Sequence, residues 1–270
     1  MKRLFLLLIF LNLSCEEVVE VDVPNSEPRL VIEANLDWEK GTSGNNQEIK
    51  LSISTPYFSE TPNVPATGAI VKVTNLNTST EFVFTDNDNG TYSIDSFIPQ
   101  LNNTYELEIN YLGNIYKGKE TLYPVPNIHT ITQSMENGFD DESLEVNIFF
   151  DDPIDETNYY LTKFKTVYDI FPYYFPLEDE FTNGNTMTMF YEEENNELET
   201  GDNVYIYLYS ISEQYYNYMN LLLNQVESDG PFNTTPVTLV GNCINVSEPD
   251  LKPFGYFRVT EMVNTEYTVE

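Results

Sequence analysis

The sequence predicts a mostly β protein: an N-terminal Ig-like β-sandwich followed by a second β-rich domain with one amphipathic helix. Three observations predict it. Short segments alternate apolar and polar residues with period two. Gly, Pro, Asn and Asp clusters separate them at short spacing. The chain carries 20 Tyr and 17 Phe, many at alternating positions, which is enough to build a core despite its acidity.

Taken in order, Lys2 and Arg3 form a basic start and Leu4 to Leu11 an apolar run too short to span a bilayer. Ser14-Cys15 follows directly. Residues 1–14 therefore read as a secretory signal. A Cys at this place resembles a bacterial lipobox, with Asn12 standing where the pattern usually has Leu. The expectation is cleavage before Cys15 and acylation of its thiol. Several acyl chains together hold a protein essentially for good, at about 0.8 kcal/mol per buried methylene. Glu16 and Glu17 resemble the acidic signal by which Bacteroidota send lipoproteins to the outer face of the outer membrane. The expected location is the cell outer membrane, lipid-anchored and facing the exterior. Residues 15–27 read as a tether.

Residues 28–123 are expected to form the Ig-like sandwich. Its strand signals are Leu30–Leu36, Ile49–Ser54, Ala69–Asn75, Thr80–Thr85, Gly90–Asp95, Thr104–Tyr111 and Ile115–Leu122. Asn87-Asp88-Asn89-Gly90 supplies the positive φ of a hairpin turn. It fails as a calcium loop, because Gly90 and Phe97 stand out of register for the required Gly and Glu. Tyr57 and Phe58 lie in a proline-broken loop, where they cap the sandwich or meet a partner.

Tyr123-Pro-Val-Pro-Asn127 marks the boundary to the second domain, residues 124–270. Strand signals resume at Ile128–Ser134, Leu144–Phe150, Tyr159–Val167 and Asn203–Tyr209, with Val237–Val240 and Gly255–Val259 near the end. Tyr168 to Phe181 is aromatic, broken by Pro172 and Pro176, and reads as a long loop. Phe171, Tyr173, Tyr174 and Phe175 within it are the candidate partner-binding residues, unless those rings plug the core edge. The Glu192-Glu193-Glu194 run reads as a solvated turn. Ser210 with Glu213 forms a capping box, and Ile211, Tyr215, Tyr218, Leu222 and Val226 share one face, so a helix is predicted near 211–227.

Charge narrows the function classes. The chain has 12 Lys+Arg against 44 Asp+Glu, a net charge of -32, and loss of Lys2 and Arg3 takes it to about -34. Such a surface repels nucleic acid and favours cations or a basic partner. Cys15 and Cys243 are the only cysteines, so lipid on Cys15 leaves Cys243 unpaired, with no zinc spacing. His129 is the single histidine and sits at a strand start. No nucleophile and base pair, cofactor or metal motif emerges, and the expectation is a protein that is not an enzyme.

With these landmarks placed, the chain resembles the DUF4249 domain family of Bacteroidota outer-membrane lipoproteins. Cys15-Glu-Glu-Val-Val-Glu-Val-Asp-Val-Pro24, Pro28-Arg-Leu-Val-Ile-Glu33, Thr55-Pro-Tyr-Phe58 and Gly68-Ala-Ile-Val-Lys-Val73 carry the resemblance. So do Pro124-Val-Pro126, Asn158-Tyr-Tyr160, Phe181-Thr-Asn-Gly184, Gly230-Pro-Phe232 and Gly255-Tyr-Phe257. The resemblance implies a surface lipoprotein beside a TonB-dependent outer-membrane barrel. The expected role is a non-catalytic accessory or binding subunit of that transporter. The alternatives are a free-standing adhesin and a glycan hydrolase using two carboxylates. The residues do not select among small-molecule, peptide and glycan ligands.

Overall fold

The computed structural model describes residues 27–56, 59, 61, 64–135, 143–154, 156–192, 198–226 and 238–270. Cys15, Glu16, Glu17, Tyr57 and Phe58 lie outside them.

Eight strands come first: β1 (Leu30–Glu39), β2 (Gln47–Ile53), β3 (Val64–Pro65), β4 (Ile70–Asn75), β5 (Thr80–Asp86), β6 (Thr91–Ile94), β7 (Thr104–Tyr111) and β8 (Asn114–Thr121). Their order is β1-β2-β6-β5-β4-β7-β8. β5 meets β6 only at Thr85 and Asp86, and there the sheet folds over itself into a sandwich. Period-two alternation fills the space between: Leu30, Ile32, Ala34 and Leu36 of β1 share one core with Val71, Val73, Tyr105, Leu107 and Ile109. Each such aliphatic side chain contributes about 1.5–3 kcal/mol by leaving water. Tyr92 is fully buried yet satisfied, donating to the Ala66 carbonyl at 2.7 Å and accepting from the Ala69 N–H at 3.1 Å. The Ig-like sandwich predicted from the sequence is present.

The remaining elements are β9 (Ile128–Ser134), β10 (Glu145–Asp151), β11 (Tyr159–Lys165), β12 (Tyr173–Glu178), β13 (Thr186–Glu192), β14 (Asn203–Ile211), α1 (Glu213–Val226), β15 (Ile244–Asn245) and β16 (Phe254–Thr268). A three-stranded sheet, β13-β10-β9, faces the β12-β11-β14-β16 part of the long sheet. Val146, Ile148, Phe164, Tyr191, Val204 and Ile206 form the core between them. Helix α1 covers the other face of the long sheet, with Tyr215 and Met219 buried against Leu161, Tyr209, Ile211 and Tyr256.

β16 joins the two lobes. Its first part pairs in parallel with β1, from Val31 opposite Phe254 to Glu39 opposite Met262. Its last part pairs antiparallel with β14, from Tyr209 opposite Met262 to Asn203 opposite Thr268. Gly255 makes the parallel pairing possible. Its φ is +88°, and any side chain there would collide with the Ile32 carbonyl. The boundary at residue 123 thus separates two cores, but the chain returns across it. Phe257, Val259 and Cys243 complete the first core, and β15 pairs with β8.

Four sequence expectations change. Tyr173–Glu178 is an edge strand rather than part of a long loop, and an edge is where a sheet tolerates a proline such as Pro176. Thr186–Glu192 is a strand that the sequence reading passed over. The helix cap is Ser212, whose Oγ accepts the Tyr215 N–H at 3.2 Å, because Ser210 is held in β14 opposite Tyr160. Residues 238–240 take no strand, while Gly255–Val259 lies inside a strand of 15 residues.

Candidate functional site

The aromatic run from Tyr168 to Phe175 divides by position. Tyr173 and Phe175 turn into the second core, where Tyr173 meets Tyr191 edge-on at 5.5 Å and Phe175 meets Phe164 at 6.1 Å. Tyr174 is half-buried on the opposite face, in the cluster under α1. Phe171 alone of the four stands in solvent, 79% exposed, beside Ile170 at 85% and the exposed Val167.

The loop holding them, residues 166–172, is inverted: polar groups point in and apolar ones out. Asp169 Oδ2 accepts the Thr166 N–H at 2.6 Å and the Thr166 hydroxyl at 2.9 Å. Both Asp169 oxygens accept from the Tyr191 hydroxyl, at 2.9 and 3.0 Å. Tyr168 donates its hydroxyl to Asp202 Oδ2 at 2.9 Å. These bonds fix the backbone and leave Val167, Ile170 and Phe171 as a preorganised apolar tip. Burial would favour the reverse arrangement.

The tip lies at one pole of the molecule. Lys165 pairs with Tyr205, close to the end of the β14–β16 ladder. The chain enters β1 at Leu30, by the other end of β16. The 15 residues of β16 separate the two poles by a contour of about 45 Å.

Polar groups at the seam hold the tip in place relative to the first sandwich. Glu120 of β8 is buried and accepts three hydrogen bonds: from the Thr121 N–H at 3.0 Å, the Ser212 hydroxyl at 3.0 Å and the Tyr256 hydroxyl at 3.3 Å. Burial raises its carboxyl to about 7, against the lowering effect of those donors. Arg258 of β16 is buried between lobes, donating to Asp37 of β1 at 2.6 Å and to the Tyr215 hydroxyl of α1 at 3.2 Å. Its guanidinium lies 4.8 Å from the Tyr209 ring centre. Buried Glu261 accepts the Val125 N–H at 2.8 Å, and Lys40 donates to the Val125 carbonyl at 2.5 Å. Sequence reasoning missed these residues. Their partners stand as far as 221 positions away, and no local pattern marks them.

His129 is exposed on β9, 3.4 Å from Asp151. Cys243 is free and buried in the first core, where burial pushes its thiol up to about 12. Asp86 accepts the Gly68 and Asp88 N–H groups, at 2.6 and 2.8 Å, within a turn. Among the described residues no three His, Cys, Asp or Glu side chains gather as metal ligands. No helix among them is long and apolar enough to cross a membrane.

A family model described as "Domain of unknown function (DUF4249)" matches residues 16–265. No curated protein sequence matches. Among solved structures, a two-domain fibronectin type III segment of chicken tenascin is similar at 9% identity and TM-score 0.22, covering 62% of this chain and 86% of that one. A cytokine receptor complex is similar at 8% and 0.28, covering 68% and 86%. A DUF4785 family protein from Legionella pneumophila is similar at 10% and 0.26, covering 68% and 51%. The sandwich described above rests on its own strand order and core.

Proposed function

The chain belongs to the DUF4249 family, and from that premise we propose that it is a lipid-anchored, surface-exposed accessory subunit of an outer-membrane transporter, acting by contact and not by catalysis. Cys15 carries the lipid and Glu16-Glu17 direct export. The partner is a TonB-dependent barrel. The observation that supports this reading best is the inverted loop: Val167, Ile170 and Phe171 are held in water by the half-buried Asp169, at the pole farthest from where the tether joins. A rigid body with a tether at one end and an apolar tip at the other suits a protein that reaches a neighbour in the same membrane.

The test is affinity capture of the natively lipidated protein from detergent-solubilised outer membranes. The expected result is one stoichiometric barrel, lost in the Ile170→Ser, Phe171→Ser double variant. Capture of no barrel would reject the transporter role and leave a free-standing adhesin. Equal capture by the double variant would remove the tip from the contact.

A further inference from the structure

The opposite pole carries a second anomaly. β7 and β8 are joined by a two-residue turn, Leu112-Gly113, with φ of 50° and 84°. Both positions of such a turn favour Gly, Asn or Asp. The other positive-φ residues that are not glycine, among the described residues, are Ser79, Asp88 and Asn102, all small and polar. Leu112 is neither, and it is 83% exposed. A leucine here is disfavoured twice, by backbone strain and by exposure, and such an outlier points to function.

Leu112 has apolar company. Ile70, Asn110 and Ile115 lie side by side in register across β4, β7 and β8, and Val246 follows against Ile115 at the end of β15. Ile70, Ile115 and Val246 are exposed. The next row inward is Lys72, Glu108, Lys117 and Ile244. Lys72 pairs with Glu81 at 2.8 Å, Lys117 with Glu106 and Glu108 at 3.0 and 2.9 Å, and Lys119 with Glu106 at 3.4 Å. These three lysines and three glutamates balance to zero, in a chain of net charge -32. Glu248, in the turn that follows β15, is an acid at the edge of the patch.

We infer that the Leu112 turn, with Ile70, Ile115 and Val246, is a lipid-contact patch that seats the first sandwich in the headgroup boundary of the bilayer. This rests on the lipid anchor at Cys15. The occupant is a bilayer for two reasons. Gly118 of β8 lies against Phe257 and the Val125 N–H bonds Glu261, so β8 runs alongside β16 and its turn with β7 lies at the end where the chain enters β1, the end to which the lipid-bearing segment joins. An outermost row of Ile70, Ile115 and Val246, broken by Asn110 and backed by lysines whose charge glutamates balance, suits an interfacial contact. The anchor supplies residence and the patch supplies orientation, aiming the distal tip away from the membrane.

The experiment uses the full lipidated protein with a nitroxide on Leu112→Cys, or on Phe171→Cys, reconstituted into vesicles of phosphatidylethanolamine with a minor fraction of phosphatidylglycerol. Buried Cys243 stays in place. At position 112, accessibility to an aqueous nickel chelate should fall several-fold on reconstitution while accessibility to oxygen rises. At position 171 neither should change. Adding Ile70→Asp and Val246→Asp should return the label at 112 to water while the protein still floats with the vesicles. A label at 112 that stays water-accessible in floating protein overturns the patch alone. One shielded from both reagents overturns it in favour of a protein contact. Protein that does not float overturns the anchor and the patch together.

Discussion

Glu120 shows how a single residue can link stability to pH. Its carboxyl titrates near 7 in the fold against about 4.5 when unfolded, chiefly because burial disfavours the charge. Between those values the native state binds the extra proton. Its contribution to stability is therefore greatest below pH 4.5 and is lost as pH rises through 7, a change on the order of 3 kcal/mol. Glu120→Gln should behave like wild type at pH 5 and be more stable at pH 8, in urea titrations of both. A difference that is the same at both pH values would show that Glu120 does not carry this dependence. The ordinary carboxylates of so acidic a chain cancel in the comparison.

At the scale of elements, β12 separates two meanings of an aromatic run. Tyr173 and Phe175 are edge-strand residues with their rings in the second core, and Phe171 stands in solvent on a loop that Asp169 holds in place. Phe175→Ala should cost about 3 kcal/mol by opening a cavity. Phe171→Ala should stay within about 0.5 kcal/mol of wild type. Chemical denaturation of both variants checks this, and equal losses would mean that the loop packs in solution. Removing Tyr173, Tyr174 and Phe175 together would thus test folding before it tested partner capture.

For the whole molecule, β16 decides cooperativity. One strand contributes Phe257 and Val259 to the first core and pairs with β14 in the second lobe, and Arg258 ties β1 to α1 across the seam. Neither sandwich is complete without it. The described lobes should unfold in a single transition, with near-ultraviolet circular dichroism and calorimetry coinciding. Two separated transitions would show that the seam is weaker than its buried polar contacts imply.

The sequence by itself determined the β class, most strands of the first sandwich, the position of the helix and the family, because period-two alternation and turn chemistry act over a few residues. It singled out Phe171 but could not separate it from Tyr173 and Phe175, since burial is not encoded within one segment. Tertiary structure alone decided that Phe254–Thr268 is shared between lobes, that Glu120 meets Ser212, and that Leu112, Ile70, Ile115 and Val246 form one surface. Those contacts join residues tens to hundreds of positions apart. Their free energy comes from desolvation and packing that exist only once the chain has closed on itself.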